Sequence, residues 1–388
     1  MSKLIEAIDL VTNFYTYEGV VKALNRVSLT INHGETFGLV GESGCGKSVF
    51  VRSLMRIIQE PGRIDDGKVL FYLNDNGSSA PIDLLQQSES YMENLRGDKI
   101  SMIFQEPNAA LNPIMSIGDQ VSESFLFHRK EEMCQTVLEN LDAQGDHTFF
   151  PVKPILRGIY NMAKRAPDSF MFKAIGKVPI VKYWDKRLRK EAIRRSVEII
   201  EKLGIPNADE IAKQYPHNLS GGMKQRIVIA IALACHPVLL IADEATSNLD
   251  VTIQAQILEL LQALKQTEIS SVLLITHDLG IVAETCDRVG VMYAGNLCET
   301  AHVKALFRNP QHPYTQALLN SVPKLSQEGA LQSIEGSVPN LVNPPSGCRF
   351  HPRCPHAMDA CQKRFPMMVE TEENHTVACY LWTEKDRD

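Results

Sequence analysis

At 388 residues, 44% apolar and 22% charged, the chain has room for one large domain with additions, or for two to three domains around a sizeable core. A formal net charge of -6 speaks against a general nucleic-acid binder. The opening "MSKLIEAIDLV" lacks a secretory leader's apolar core, and the longest apolar stretch, "IVIAIALACHPVLLIA", is broken at His236-Pro237. That stretch is expected to be a buried helix followed by a buried strand, so any membrane association is expected through partners or surface contacts.

Taken in order, "LIEAIDLV", "RVSLTI" and "TFGLVG" read as strands before a glycine-rich loop. "SVFVRSLMRII" has helical spacing, and "KVLFYL" and "KISMIFQ" return to strand, separated by the turn-rich "NDNGSSAP". From Ile117 to Lys213 the pattern is mostly helical. It then alternates as helix "SGGMKQRIVIAIALACH", strand "PVLLIAD", helix "TIQAQILELLQALKQT" and strand "SVLLIT". Such alternation predicts a mainly parallel, buried sheet. After Ala301 the pattern breaks up among prolines and cysteines.

"GESGCGKS", Gly41 to Ser48, fits G-x-x-x-x-G-K-[ST] between an apolar strand and a helix. Gly41, Gly44 and Gly46 let the backbone wrap phosphates, with Ser43, Cys45 and Val49 completing the wrap. Lys47 reaches the β- and γ-phosphates, and the Ser48 hydroxyl suits Mg²⁺. Cys45 reads simply as a small residue. "VLLIADE" ends a strand on Asp243, a Mg²⁺-holding carboxylate, followed by Glu244, placed to orient or activate water. Acidic residues at strand ends are common, so this second half gains its weight from the first.

"LSGGMKQR", Leu219 to Arg226, resembles the signature of ABC-type ATPases. Ser220, Gly221 and Gly222 open a helix whose N-terminus suits an anion. The resemblance implies that these residues, with Gln225, act on ATP held by the opposite subunit. It further implies that Gln105 senses Mg²⁺ and the attacking water, that "SNLD" ending in Asp250 is the seam loop of a dimer, and that His277 contacts the γ-phosphate. Tyr17, in "FYTYEG", is the expected adenine-stacking aromatic, with Phe14 and Tyr15 close by; strand-end packing is the alternative.

"QEPNAALNPIMSIGDQ", "LDVTIQAQILELL" and "NPQHPYTQALLNSVP" are similar to the ATPase subunits of oligopeptide and dipeptide importers. The implied fold is α/β: a P-loop ABC-type ATPase domain with an antiparallel β subdomain, an enlarged helical subdomain and a small cysteine-bearing C-terminal extension. The expected divisions are 1–105, 106–215, 216–300 and 301–388. The implied cofactors are ATP and Mg²⁺. The implied partners are a second ABC ATPase subunit, related but not identical, two transmembrane permease subunits and an extracytoplasmic binding protein, with no nucleic acid. The chain would then sit peripherally on the cytoplasmic face of the cell membrane. Oligosaccharides or metal complexes as cargo remain alternatives, as does a soluble ABC ATPase acting on nucleic acid or the ribosome. Ala245 and Asn248 depart from the family's usual residues but leave Asp243 and Glu244 in place.

Two stretches stand apart. Residues 151–190, within an insertion at roughly 128–190, carry eleven Lys and Arg against two Asp. They read as a solvated helical excursion, as a surface for anionic headgroups or permeases, with Tyr183 and Trp184 suited to an interface, or, last of the three, as a contact for nucleic acid. In the tail, Cys348, Cys354, Cys361 and Cys379 follow a C-x5-C-x6-C-x17-C spacing, unlike the close cysteine pairs of most zinc sites. Similar tails in the peptide-importer ATPases imply a [4Fe-4S] cluster, with Zn²⁺ or free packed thiols as alternatives. Cys134, Cys235, Cys286 and Cys298 are expected to be buried packing residues.

Overall fold

The structure, a computed structural model, describes residues 2–73, 80–142, 157, 158, 160, 179–245, 250–265, 271–321, 334 and 336–383. The chain divides into two compact units, Met1–Arg96 with Val238–Ser247 and Leu261–Asp388, and Gly97–Pro237 with Asn248–Leu260.

The first unit holds two sheets. In the antiparallel one, strand Lys3–Thr16 turns tightly at Tyr17 and Glu18 into Gly19–Asn32, and its other edge pairs with Gly62–Phe71, which carries the short Ile82–Asp83. Val27, Leu29 and Ile31 are buried while Ser28 is exposed, the period-2 alternation of a sheet packed on one face. The second sheet is built around Thr36–Val40, parallel to Ser271–Ile275 on one side and Arg288–Tyr293 on the other. Leu239–Asp243 runs parallel beyond Ser271–Ile275. Thr36–Val40, Leu239–Asp243 and Ser271–Ile275 are buried along their full lengths, as uninterrupted apolar strands of a parallel sheet require.

The C-terminal residues extend this same sheet. Asn296–His302 pairs antiparallel with Arg288–Tyr293, and His375–Val377 then Val369–Glu372 add to its far edge. The broken pattern after Ala301 thus contains two strands too short to show a period. The helix after the glycine-rich loop spans Lys47–Leu54, shorter than its spacing predicts. Arg56 turns the chain with φ 52, and its guanidinium is tied to the Leu84 and Gln87 carbonyls.

The second unit is mostly helical around a short strand, Ile100–Ile103. Ser116 caps helix Ile117–His128, accepting the Asp119 N–H at 3.2 Å, and Ile117, Val121 and Phe125 form its buried stripe. Leu188, Ala192 and Ile200 bury one face of Pro179–Lys202. Helix Gly221–Leu233 is buried on most sides from Ile227 onward, matching its uninterrupted apolar sequence. No helix among the described residues is long and apolar enough to cross a membrane.

Candidate functional site

Parallel pairing sets the first site. Leu39 and Asp243 both align with Ile275, so three strands deliver the residues that follow them to the carboxyl end of the sheet, where ligands of open α/β sheets bind. The glycine-rich loop leaves the first of these strands. Gly41 has φ 151, and a Cβ there would stand 2.1 Å from the Met292 carbonyl oxygen; Gly46 has φ 103 and would meet the Ala23 oxygen at 2.8 Å. Side chains are excluded at both positions, which is why the loop keeps this shape. Ser43 and Gly44 are exposed at its tip, and nothing lies within 4 Å of where a Gly44 Cβ would stand. Cys45 is fully buried, and burial pushes its thiol up despite the nearby Lys47, so it is inert packing. Val49 is half-buried in the first helical turn.

The Lys47 ammonium donates to the carbonyl oxygens of Gly41 at 2.8 Å and Glu42 at 3.1 Å. These place a positive charge over the loop. Ser48 Oγ donates to Asp243 Oδ1 at 2.9 Å, bringing together the hydroxyl and carboxylate expected to share Mg²⁺. Asp243 is 2% exposed, and burial raises its carboxyl above the usual range against the Ser48 bond and the Arg52 charge. A buried carboxylate of this kind is stabilised by a divalent cation, so this donor set fits Mg²⁺.

Glu244 takes φ 49, an uncommon conformation for a side-chain-bearing residue, while its N–H bonds the Ile275 carbonyl at 3.0 Å. The kink turns the chain sharply just after Asp243. Its Oε1 lies 3.9 Å from Nδ1 of His277, which is largely exposed beyond the strand Ser271–Ile275. Carboxylate and imidazole thus converge beside the loop. Tyr17 is 99% exposed at the hairpin turn, which removes strand-end packing as its role; Tyr15 is tied through its hydroxyl to Asp65 at 2.8 Å.

The second unit carries the other predicted cluster. Ser220 caps the Gly221–Leu233 helix, accepting the Met223 N–H at 3.4 Å. Ser220, Gly221, Gly222, Asp250 and Ile253 line one open groove of about 510 Å³. A Cβ on Gly222 would stand 3.1 Å from Ile253, whereas none would touch anything at Gly221. Asp250 caps the next helix through the Ile253 N–H at 3.0 Å. Gln225 is 1% exposed, so unlike Ser220, Gly221 and Gly222 it does not reach the surface, against the expectation that it acts on a nucleotide outside this chain. Gln105 is exposed, just past the strand Ile100–Ile103. Ser247 and Asn248 lie outside the described residues, as do nearly all of residues 151–178 and the side chains of Tyr183 and Trp184.

A phosphate-wrapping loop, a buried strand-end carboxylate beside its serine, and a glutamate–histidine pair together define a P-loop nucleoside-triphosphate hydrolase. The ABC transporter family model matches residues 24–247, and the model for the oligopeptide/dipeptide transporter C-terminal region matches residues 298–361. The dipeptide transport ATP-binding protein DppD of Bacillus subtilis is 42% identical over 98% of this chain and 95% of its own. A putative peptide import ATP-binding protein of Brucella ovis is 39% identical over 98% of each. Among solved structures, the ATP-binding cassette MJ0796, in a dimeric post-hydrolysis state bound to ADP and Pi, shares the fold with a TM-score of 0.53 at 21% identity over 77% of this chain and 99% of its own. The chain belongs to the ABC transporter ATP-binding proteins, in the branch with the oligopeptide/dipeptide C-terminal region, and it is an ATPase.

The tail thiols require a correction. Cys348, Cys354, Cys361 and Cys379 line one small cavity of about 10 Å³ with His312, His351 and His356. Burial pushes the Cys348 thiol up to about 11 and the Cys379 thiol up to about 12. Among the described residues, however, no three His, Cys, Asp or Glu side chains are placed to hold a metal ion. A zinc ion draws thiolates to about 2.3 Å of a single point and an iron–sulfur cluster takes four thiolates of its own; the placement of these side chains supports neither the [4Fe-4S] nor the Zn²⁺ expectation. Cys134, Cys235, Cys286 and Cys298 are buried free thiols, as their scatter predicts. The sequence offered no signal for Glu42, whose partners Tyr314 and Arg353 lie 272 and 311 residues further on.

Proposed function

We propose that this chain powers import of dipeptides or oligopeptides as one of two ATPase subunits on the cytoplasmic side of two permease subunits supplied by an extracytoplasmic binding protein. The observation that carries it is the Ser48–Asp243 pair and the Glu244–His277 pair following the strands that flank the phosphate loop, in a chain that matches peptide-transport ATP-binding proteins along nearly its whole length. The loop N–H groups and Lys47 hold the triphosphate, and Tyr17 stacks on the base. Ser48 and Asp243, with Gln105, hold Mg²⁺, which when bound neutralises charge on the phosphate oxygens. Glu244 orients the attacking water and accepts its proton, while His277 faces the γ-phosphate. Ser220, Gly221 and Gly222 of one subunit close over the other subunit's nucleotide, with Asp250 at the seam.

Within the helical unit, a groove of about 680 Å³ lined by Met115, Asp119, Leu126, Phe127 and Arg189 suits a short cytoplasmic helix of a permease, since Phe127 and the neighbouring Ile114 are 60% and 82% exposed. Purifying the chain from its source cells with co-purifying chains tests the assembly. Two integral membrane subunits and peptide-stimulated ATP turnover are expected; a soluble, partner-free ATPase would contradict it.

The four tail thiols are the donor set of a [4Fe-4S] cluster, which spreads its ligands over four irons rather than one point. What supports it is that all four thiols line the same cavity, which at about 10 Å³ would have to widen to admit a cluster. Anaerobic purification with iron and sulfide assays tests it, and an iron-free, colourless protein rules it out.

A further inference from the structure

The C-terminal extension grips the phosphate loop through two side chains. Arg353, 6% exposed at its side chain, forks onto Glu42 with Nη1–Oε2 at 2.8 Å and Nη2–Oε1 at 3.1 Å. The same guanidinium donates to the Tyr293 hydroxyl at 3.1 Å and to the Ile334 carbonyl at 3.2 Å. The Tyr314 hydroxyl accepts the Glu42 backbone N–H at 2.9 Å. Tyr314 is fully buried, with its ring 4.6 Å from that of Tyr293 and 5.3 Å from that of Phe350. Neither partner can drift without disturbing this aromatic cluster.

Glu42 is the second residue of the loop, and its carbonyl is one of the two that hold Lys47. A carboxylate here, only 25% exposed, sets negative charge beside the place where a triphosphate must come, and partial burial limits its screening. A bidentate guanidinium is the side chain best shaped to cancel that charge while fixing the carboxylate's direction.

We propose that Arg353 and Tyr314 are positioning residues for the ATPase: by neutralising Glu42 and anchoring its backbone they keep the phosphate loop receptive to MgATP, so the C-terminal extension sets the affinity of the site. The proposal requires only that the chain binds MgATP, and not any particular cargo.

The test is MgATP binding and steady-state ATPase kinetics in the full-length chain. Arg353→Gln is expected to weaken MgATP binding about tenfold, with kcat at saturating ATP changed less than about twofold. Arg353→Lys should fall between it and the parent, because one ammonium cannot fork onto both oxygens. The double variant Glu42→Gln/Arg353→Gln should return to within about threefold of the parent, since the unpaired carboxylate is gone. A purely structural arginine would leave single and double variants equally impaired, and that result overturns the proposal, as does unchanged binding in Arg353→Gln. Should that variant not fold, Glu42→Gln alone decides: binding tighter by about two- to fivefold is expected, and weakened binding overturns the proposal.

Discussion

Asp243 shows the site's chemistry most plainly. A carboxyl raised in the fold is favourable when protonated, so its contribution is full below the ordinary aspartate range and is lost as pH rises through the raised value. Above that value the ionised, buried group is a cost that a bound cation removes. Asp243→Asn should therefore stabilise the nucleotide-free chain more at high pH than at low pH and shrink the rise in melting temperature that MgATP produces. Scanning calorimetry with and without MgATP checks both. Glu244→Gln should leave MgATP binding in place and cut turnover by about 10²–10⁴, read by phosphate release. Both residues were legible in "VLLIADE" because a fully apolar strand ending in acid is a local pattern. The φ of 49 at Glu244 was not, since the kink depends on the hydrogen bond from its N–H to Ile275 in a different strand.

Among the elements, the C-terminal strands were the least legible. Val369–Glu372 and His375–Val377 are too short for a period to show, and what fixes them is a buried polar network. Glu299, fully buried, accepts the N–H groups of Gln311 at 2.8 Å and His312 at 2.9 Å and bonds His375 Nε2 at 2.7 Å. His312 caps helix Pro313–Asn320 by accepting the Tyr314 N–H at 3.0 Å. Burial lowers His312 to about 4, with the Glu299 charge opposing. Its neutral form is thus favoured in the fold, and the unfolded chain takes up the extra proton between about 6.5 and that value. Stability should fall as pH drops through that window, by up to about 3 kcal/mol from this group. His312→Asn keeps a capping acceptor and should flatten the pH dependence of melting between pH 7 and 5; an unchanged slope would assign it elsewhere. In the helical unit, Phe127→Asp should preserve ATP turnover by the purified chain yet reduce its recovery with membrane subunits by about tenfold, measured by quantitative co-purification.

For the whole molecule, the two surfaces proposed to meet nucleotide fall in different units: the phosphate loop, Asp243, Glu244 and His277 in one, Ser220 to Gly222 with Asp250 in the other. Short motifs announced both, because phosphate chemistry demands fixed residues at fixed spacing. The long-range ties announced nothing: Arg353 reads as an ordinary basic residue in a cysteine-rich tail until the fold lays it on Glu42. The central claim is that ATP hydrolysis at Glu244 drives peptide uptake. Labelled di- and oligopeptide uptake, in source cells whose copy of this chain is removed and then restored as parent or Glu244→Gln, tests it most directly. Uptake should return with the parent and stay absent with Glu244→Gln at equal protein levels. Equal uptake in both, or no dependence on the chain at all, would contradict it.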